Sequence, residues 1–239
     1  MRTPSRVRGV LATLAVATIA GCASVPNVDL DKRASVRSVT VLAVAEPGIV
    51  PVVNLGGPTG MFGLVGGLVQ AGLNDQHSRA YTDLLKGRAV TFAPLLEDGV
   101  IATLEAAGYR VARSDQKPSL QSDNRTADYS GIKVGTDAIV HVWFTAFGYV
   151  SPPAKMNFQP WVAVRVRVLE SASKKDLYFK TFVCGYEPRI EGAVAIPVDA
   201  QYEYESYDKL AERLDHSVAG LRECEQSIVA TVARDVKPR

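Results

Sequence analysis

The stretch WVAVRVRVL at residues 161–169 decides the fold of this chain. Every second position is a valine: Val162, Val164, Val166 and Val168. The positions between them hold Trp161, Ala163, Arg165 and Arg167. A period of two is typical of a β-strand with one buried face. The valine face therefore has to pack against other elements, and the Trp/Arg face is either open or covered by something else.

Two further strands flank this one in the sequence. Residues 138–149 (AIVHVWFTAFGY) precede it and end at Pro152-Pro153, while residues 177–186 (LYFKTFVCGY) follow it after the polar turn SASKKD at 171–176. Runs rich in β-branched and aromatic residues, separated by short turns, are typical of consecutive antiparallel strands. We therefore predict a three-stranded antiparallel meander.

The remaining elements are arranged around the meander. Residues 38–45 (SVTVLAVA) are predicted to form a buried strand, and 109–113 a short one. Helices are expected over 75–86, over 92–107, and from an N-cap at Ser206 to about Ala233, with 114–135 as an exposed loop. The prediction is an α+β fold (α/β-like) with one mixed sheet of about five strands and helices packed on one face.

Residues 48–73 form an uncharged run of 26 residues with seven glycines between Gly56 and Gly72. Its first half holds Pro51 and Pro58 and is expected to be an extended loop. Its second half can be helical, and Gly63, Gly67 and Ala71 then form a stripe of small residues, a possible self-association surface. Packing within the chain itself, contact with another copy and contact with a membrane remain open for this segment.

The first 21 residues have the layout of an export signal. Arg2, Arg6 and Arg8 come first, and an uncharged stretch runs from Gly9 to Gly21, too short for a permanent membrane-spanning helix. The run ends Ile19-Ala20-Gly21-Cys22, which resembles the lipobox of bacterial lipoproteins. The resemblance implies cleavage before Cys22 and lipid attachment to that cysteine.

This resemblance divides the chain into a signal peptide at 1–21, a lipidated cysteine and tether at 22–37, and a single globular domain at 38–239. In Gram-negative lipoproteins, an Asp after the cysteine resembles an inner-membrane retention signal. Residue 23 is Ala, so the resemblance implies the outer membrane, facing the periplasm. Acyl chains would hold the protein on the membrane without spanning it.

The formal net charge of +2 belongs to the leader. Residues 1–21 contain three Arg and no acid, so 24 Lys and Arg face 25 Asp and Glu in the remainder, a net charge of −1. Nothing in this balance indicates a nucleic-acid partner.

With Cys22 lipidated, Cys184 and Cys224 remain. An even pair in an exported protein can form a disulfide, which would join the third meander strand to the last helix. Two buried, reduced cysteines are the alternative.

No motif for catalysis or for a cofactor stands out. The three histidines, His77, His141 and His216, are dispersed and lack zinc-ligand spacing, and there is no G-x-S-x-G, Walker loop or dinucleotide fingerprint. We expect no metal, no cofactor and no enzymatic activity, with a catalytic triad assembled from distant residues as the open alternative.

The second face of the meander is a candidate interaction face. Strict alternation places on it Trp143, Phe147, Tyr149, Trp161, Arg165 and Arg167. Tryptophan, tyrosine and arginine are enriched at binding hot spots. Either a partner or another part of the same chain would cover this face.

The order of elements over residues 38–233 and the apolar Gly-rich segment resemble a group of outer-membrane lipoproteins whose domain is similar to the curli-secretion lipoprotein or the amino-terminal domain of TolB. The leading hypothesis is a non-catalytic, lipid-anchored envelope protein that binds another envelope component or itself. The alternatives are an oligomeric pore or secretion-channel accessory subunit, and an envelope hydrolase with a dispersed active site.

Overall fold

The computed structural model describes residues 35–56, 63–120, 127–153, 155–186 and 190–235, without the side chains of residues 63–68 and 120. The predicted signal peptide, Cys22 and most of the predicted tether lie outside the described residues. The predicted α+β class is confirmed: a mixed sheet carries its helices on one face.

Nine strands are present in the described part of the chain. In chain order they are β1 (Ser38–Leu42), β2 (Val52–Asn54), β3 (Arg110–Ser114), β4 (Ser119–Leu120), β5 (Ala127–Asp128), β6 (Ala138–Ser151), β7 (Gln159–Glu170), β8 (Asp176–Gly185) and β9 (Val194–Ile196). The main sheet has the order β3-β1-β6-β7-β8-β9, with β2 also paired to β6. The predicted meander β6-β7-β8 is antiparallel, whereas β1 is parallel to both β3 and β6.

The main sheet is wider than the five strands expected from the sequence. β2 and β9 have three residues each, which is too short to produce a periodic signal. The segment 114–135 also differs from the exposed loop that was predicted. It contains the small β4/β5 pair, and its Tyr129 and Ile132 pack on Leu42, Ile139 and Leu169 of the main sheet.

Four α-helices lie in the described part of the chain: α1 (Gly63–Gly87), α2 (Ala93–Ala106), α3 (Tyr207–Glu212) and α4 (Leu214–Asp235). The valine face of β7 packs beneath them in one large core that includes Leu96 of α2 and Leu221 of α4. Ser206 caps α3, as its side chain accepts a hydrogen bond from the backbone N–H of Lys209. The last helix was predicted to be continuous from Ser206, but it is divided at Arg213, where ψ is 44°.

Helix α1 joins two predicted segments, the second half of the Gly-rich run and the polar stretch 75–86, into one helix of 25 residues. Three polar side chains one turn apart fasten it to β2. Asn74 Oδ1, Ser78 Oγ and Thr82 Oγ1 accept hydrogen bonds from the backbone N–H groups of Asn54, Val52 and Val50, each at 2.9 Å. The accepting side chains are four residues apart on the helix, a rise of about 6 Å, and the donating N–H groups are two residues apart on the strand, a rise of about 6.6 Å. Because these two spacings are nearly equal, all three hydrogen bonds can form together.

The two ends of the sheet are called the proximal end and the distal end, and each is defined by its residues. At the proximal end, β1, β3 and β6 begin at Ser38, Arg110 and Ala138, and the β7–β8 turn lies at 171–175. At the distal end, β6 finishes at Ser151 beside Asn54 of β2. The 14 residues of β6 separate the two ends by about 43 Å.

The polar contacts between α1 and β2 lead to a stability prediction. Ser78→Ala leaves the buried Val52 N–H without its acceptor, so we expect the free energy of unfolding to fall by about 1–3 kcal/mol. Urea denaturation followed by circular dichroism measures the change. Gln76→Ala, at an exposed position of the same helix, is the control and should change stability by less than about 0.5 kcal/mol. Equal effects for the two variants would contradict the prediction.

Candidate functional site

The face of the main sheet opposite the helices is called the rear face here. On it, neighbouring strands align His141 with Arg167 and Phe179, and Trp143 with Arg165 and Thr181. The predicted combination of aromatic and arginine side chains on this face is therefore present, but it includes fewer of the predicted residues than strict alternation implied.

Phe147 and Tyr149 do not lie on the rear face. The pairing register of β6 and β7 shifts between Phe144 and Ala146, and this irregularity reverses the alternation beyond it. Both side chains enter the large core beneath the helices, where the Tyr149 hydroxyl donates a hydrogen bond to the Ser217 carbonyl at 2.8 Å. Their assignment to an interaction face was wrong, because a period-2 pattern in the sequence does not reveal a bulge.

Trp143 is on the rear face but is buried. Its ring stacks on His141 with 4.4 Å between ring centroids, and His141 Nδ1 shares a 2.8 Å hydrogen bond with the Tyr129 hydroxyl. Burial, and secondarily the charge of Arg167, lowers the pKa of His141 to about 4, so this imidazole is neutral at neutral pH. Trp143 is thus a packing residue, and part of the same chain covers it.

Of the predicted residues, Trp161, Arg165 and Arg167 are accessible on the rear face, each of them half-buried. Arg167 makes two hydrogen bonds to Asp176, at 2.5 and 2.9 Å, while Arg165 lies 5.5 Å from the centre of the Phe179 ring. Since Arg167 is already ion-paired, this surface offers a partner fewer charges than the sequence suggested.

The three histidines each contact a tyrosine. His77 stacks on Tyr207 with 4.0 Å between centroids, and His216 Nδ1 shares a 2.7 Å hydrogen bond with the Tyr204 hydroxyl. His141 has the Tyr129 contact described above. Within the described ranges, no group of three or more His, Cys, Asp or Glu side chains could hold a metal ion.

A second candidate site lies at the distal end. Four large apolar side chains there are 40% to 70% exposed: Leu55, Val69, Leu73 and Met156. Hydrogen bonds at the end of β6 place two of them, because the Leu55 N–H donates to the Ser151 carbonyl and the Ser151 hydroxyl donates to the Met156 carbonyl. Val69 and Leu73 lie one turn apart on α1, next to Asn74, which accepts the N–H of Asn54 at the end of β2. We call these four residues the distal apolar surface.

The predicted small-residue stripe falls on the same helix as part of this surface. Ala71 is exposed on α1, between Val69 and Leu73. Gly63 and Gly67 are also in α1, within residues 63–68, whose side-chain surroundings the structure does not describe. In the sequence, the uncharged run 48–73 was the only pattern that pointed to this apolar surface. Met156, which is distant in sequence, could be assigned to it only from the tertiary structure.

Cys184 and Cys224 form the predicted disulfide, with their Cα atoms 5.5 Å apart. Both residues are fully buried and link β8 to α4 across the large core. The covalent bond thus fixes the last helix on the sheet. None of the helices that the structure describes has the length and apolar character needed to cross a membrane.

Glu225 is a buried carboxyl group on α4 that sequence reasoning did not single out. Among the residues that the structure describes, neither of its oxygens has a hydrogen-bond partner. The nearby Glu46 accepts the N–H groups of Phe92 and Ala93 at the start of α2, at 2.8 and 2.9 Å. Burial, and secondarily the charge of Glu46, raises the pKa of Glu225 to about 9. Glu225 is therefore protonated in the folded protein at neutral pH.

No family model and no curated protein matches the sequence. Among solved structures, the chain is similar to a Xanthomonas campestris protein assigned to DUF330, with 10% identity, a TM-score of 0.43 and 84% of each chain covered. It is also similar to a PelC dodecamer from Paraburkholderia phytofirmans, with 10% identity, a TM-score of 0.33, and 84% of this chain and 87% of that chain covered. Lipoprotein GNA1162 from Neisseria meningitidis is 13% identical, with a TM-score of 0.29, and 77% of this chain and 98% of that chain are covered. At these identities and TM-scores, the similarities carry no argument about the function of this chain.

The disulfide leads to a prediction about folding. It closes a loop with a sequence separation of 40 residues, which corresponds to roughly 4 kcal/mol in the chain-entropy description. The Cys184→Ala/Cys224→Ala double variant should therefore unfold at lower urea concentration under non-reducing conditions. A reducing agent should shift the unfolding midpoint of the unmodified protein but leave that of the variant unchanged. A midpoint insensitive to reduction in both proteins would contradict the prediction.

Glu225 leads to a prediction about pH. Its pKa is raised from 4.5 in the reference state to about 9 in the fold, so its contribution to stability is complete below pH 4.5 and is lost as the pH rises towards 9. Between these values the free energy of unfolding should fall by up to about 1.4 kcal/mol per pH unit from this group. Glu225→Gln should remove that slope in urea titrations at pH 5 to 9, whereas the exposed-site control Glu205→Gln should keep it.

Proposed function

We propose that this chain is an exported, lipid-anchored envelope protein without catalytic activity, which binds another envelope protein or a second copy of itself. The lipobox at Ile19-Ala20-Gly21-Cys22 supports export and anchoring at Cys22, most simply on the periplasmic side of the outer membrane. The Cys184–Cys224 disulfide fits an oxidising compartment such as the periplasm.

The observation that carries the binding role is the distal apolar surface. Isolated exposed apolar side chains are ordinary, but a group at one end of a fold is typical of a protein or membrane contact. Here four such side chains lie around the end of β6 and on the neighbouring part of α1, and three of them belong to the uncharged run 48–73. A partner that covered them would remove this apolar area from water.

The other two hypotheses receive less support from the geometry. A pore or channel subunit would need long strands that are free to enter a bilayer, whereas β6, β7 and β8 contribute one apolar face to the large core. A hydrolase would need a nucleophile beside a base, whereas the hydrogen bonds of His141 and His216 within the described residues go to tyrosine hydroxyls.

Anchoring is tested directly by metabolic labelling. Cells that express the full chain are grown with an alkyne-tagged fatty acid, and the purified protein is examined for the label. We expect the natural chain to be labelled and to fractionate with membranes, and Cys22→Ala to lose both properties. A Cys22→Ala variant that keeps its lipid label would overturn the proposed anchoring.

The binding role is tested with a photoreactive amino acid at Leu73. We expect crosslinking to one or a few discrete envelope proteins, or to a second copy. Leu84 is the matched control, because it lies on the same helix with nearly equal exposure but outside the distal apolar surface. Leu55→Asp with Leu73→Glu should weaken capture by about tenfold, equivalent to ~1.4 kcal/mol. Equal products from positions 73 and 84 would argue against a specific site.

A further inference from the structure

Strand β3 is an edge of the main sheet, and its register with β1 shows which of its backbone groups are paired. The N–H of Arg110 donates to the Arg37 carbonyl at 3.0 Å, and the Ser114 carbonyl accepts the N–H of Ala43 at 2.9 Å. Successive residues of a strand direct their N–H and C=O groups to opposite sides. The even-numbered residues of β3 therefore bond to β1, and the odd-numbered ones point the other way.

Val111 and Arg113 are these odd-numbered residues. Within the described part of the chain, their backbone N–H and C=O groups have no hydrogen-bond partner. They lie two residues apart, about 6.6 Å along the strand, which is the spacing that a further β-strand would need. The backbone of β3 thus offers two donors and two acceptors along an open edge.

The other edges of the main sheet are protected in ways that β3 is not. Side chains of α1 cover the second edge of β2, and β9 has only three residues and is followed by Pro197. Strand β3 keeps its register with β1 over all five residues and contains no proline. The Arg113 side chain is held towards α2 by Asp98 at 2.7 Å, and Ala112 is exposed with only a methyl group. An edge strand without a proline, a bulge or a blocking side chain can pair with another strand.

A second copy of the same strand fits this edge in one antiparallel register, centred on Ala112. Val111 of each copy then pairs with Arg113 of the other, and each pair exchanges both of its hydrogen bonds. A register centred on Val111 would need the N–H of Tyr109, which already donates to the Leu104 carbonyl at 3.1 Å. A register centred on Arg113 would place two guanidinium groups opposite each other, which is unfavourable.

The charges of β3 are self-complementary in the register centred on Ala112. Arg110 of one copy lies opposite Ser114 of the other, and Arg113, which is ion-paired with Asp98 of its own chain, lies opposite Val111. No two like charges are therefore directly opposite each other. The two Ala112 residues meet on the symmetry axis at a position without hydrogen bonds, where Cα atoms approach to about 4.5 Å. A methyl group at this position allows that approach.

We propose that two copies of this chain pair through β3, antiparallel and centred on Ala112, so that their main sheets join into one continuous sheet. The contact uses the same surface on both copies and therefore closes at a dimer. It is separate from the distal apolar surface and does not depend on anchoring at Cys22. Because the paired strands are antiparallel, the distal ends of the two copies point in opposite directions.

The register is tested with single cysteines introduced into the full chain, purified in detergent. Ala112→Cys places two thiols across the axis at a spacing that a disulfide can bridge. Ala195→Cys is the matched control, because Ala195 is exposed on β9 at the opposite edge of the sheet. After mild oxidation and proteolysis, mass spectrometry should find peptides of two copies joined at position 112 and none joined at position 195. Equal yields at the two positions, or a link from position 112 to a different protein only, would overturn the proposal.

A charge at the axis tests the same contact without a covalent bond. Ala112→Lys places two ammonium groups opposite each other and should raise the dissociation constant of the dimer at least about tenfold in sedimentation velocity. Ala195→Lys, the same change of charge on the other edge strand, should leave it unchanged. An unmodified protein that stays monomeric at its highest soluble concentration would refute the dimer.

The variants of the distal apolar surface distinguish this contact from the proposed binding role. We expect Leu55→Asp with Leu73→Glu to leave the dimer intact. A dimer that this double variant dissociates and that Ala112→Lys leaves intact would refute pairing through β3, while it would support a second copy on the distal apolar surface.

Discussion

The apolar face of β6, β7 and β8 has to be removed from water, and the rest of the structure depends on how this is done. Helix α4 packs on β7 and β8, α2 packs on α4, and all of them share one core, within which the Cys184–Cys224 disulfide joins β8 to α4. Because the helices pack on one side of the sheet, the contacts on the rear face come from the short segment that contains Tyr129 and Ile132, which packs on Leu42, Ile139 and Leu169. Packing one face therefore determines which surfaces can bind anything else.

The uncharged run 48–73 is tied to this framework by polar contacts. Asn74, Ser78 and Thr82 take the place of a neighbouring strand, because their oxygens accept N–H groups along one edge of β2 and of Val50 just before it. This satisfies backbone donors that would otherwise be buried without partners. It also positions the start of α1 at the distal end, where Val69 and Leu73 stay exposed.

The two ends of the sheet differ in chemistry. At the proximal end polar contacts fix the start of β1 on Asp137, whereas the distal end has four exposed apolar side chains. The parallel pairing of β1 with β6 creates this separation, since β1 begins at one end of the longest strand and β2 pairs with the other end.

The sequence by itself determined the α+β class, the β6-β7-β8 meander, the helical stripe of α4 and the cysteine pair, because each depends on local periodicity or on simple counting. It also supplied the lipobox-like run Ile19-Ala20-Gly21-Cys22, on which the proposed location rests. Only the tertiary structure decided which aromatic residues are accessible. The bulge at Phe144/Ala146 directs Phe147 and Tyr149 into the core, while Tyr129 hydrogen-bonds to His141, whose ring stacks on the buried Trp143. Likewise, Met156 joins Leu55 and Leu73 only because distant segments meet at the end of β6. Side-chain accessibility depends on contacts between segments far apart in the chain, and no local pattern records those contacts.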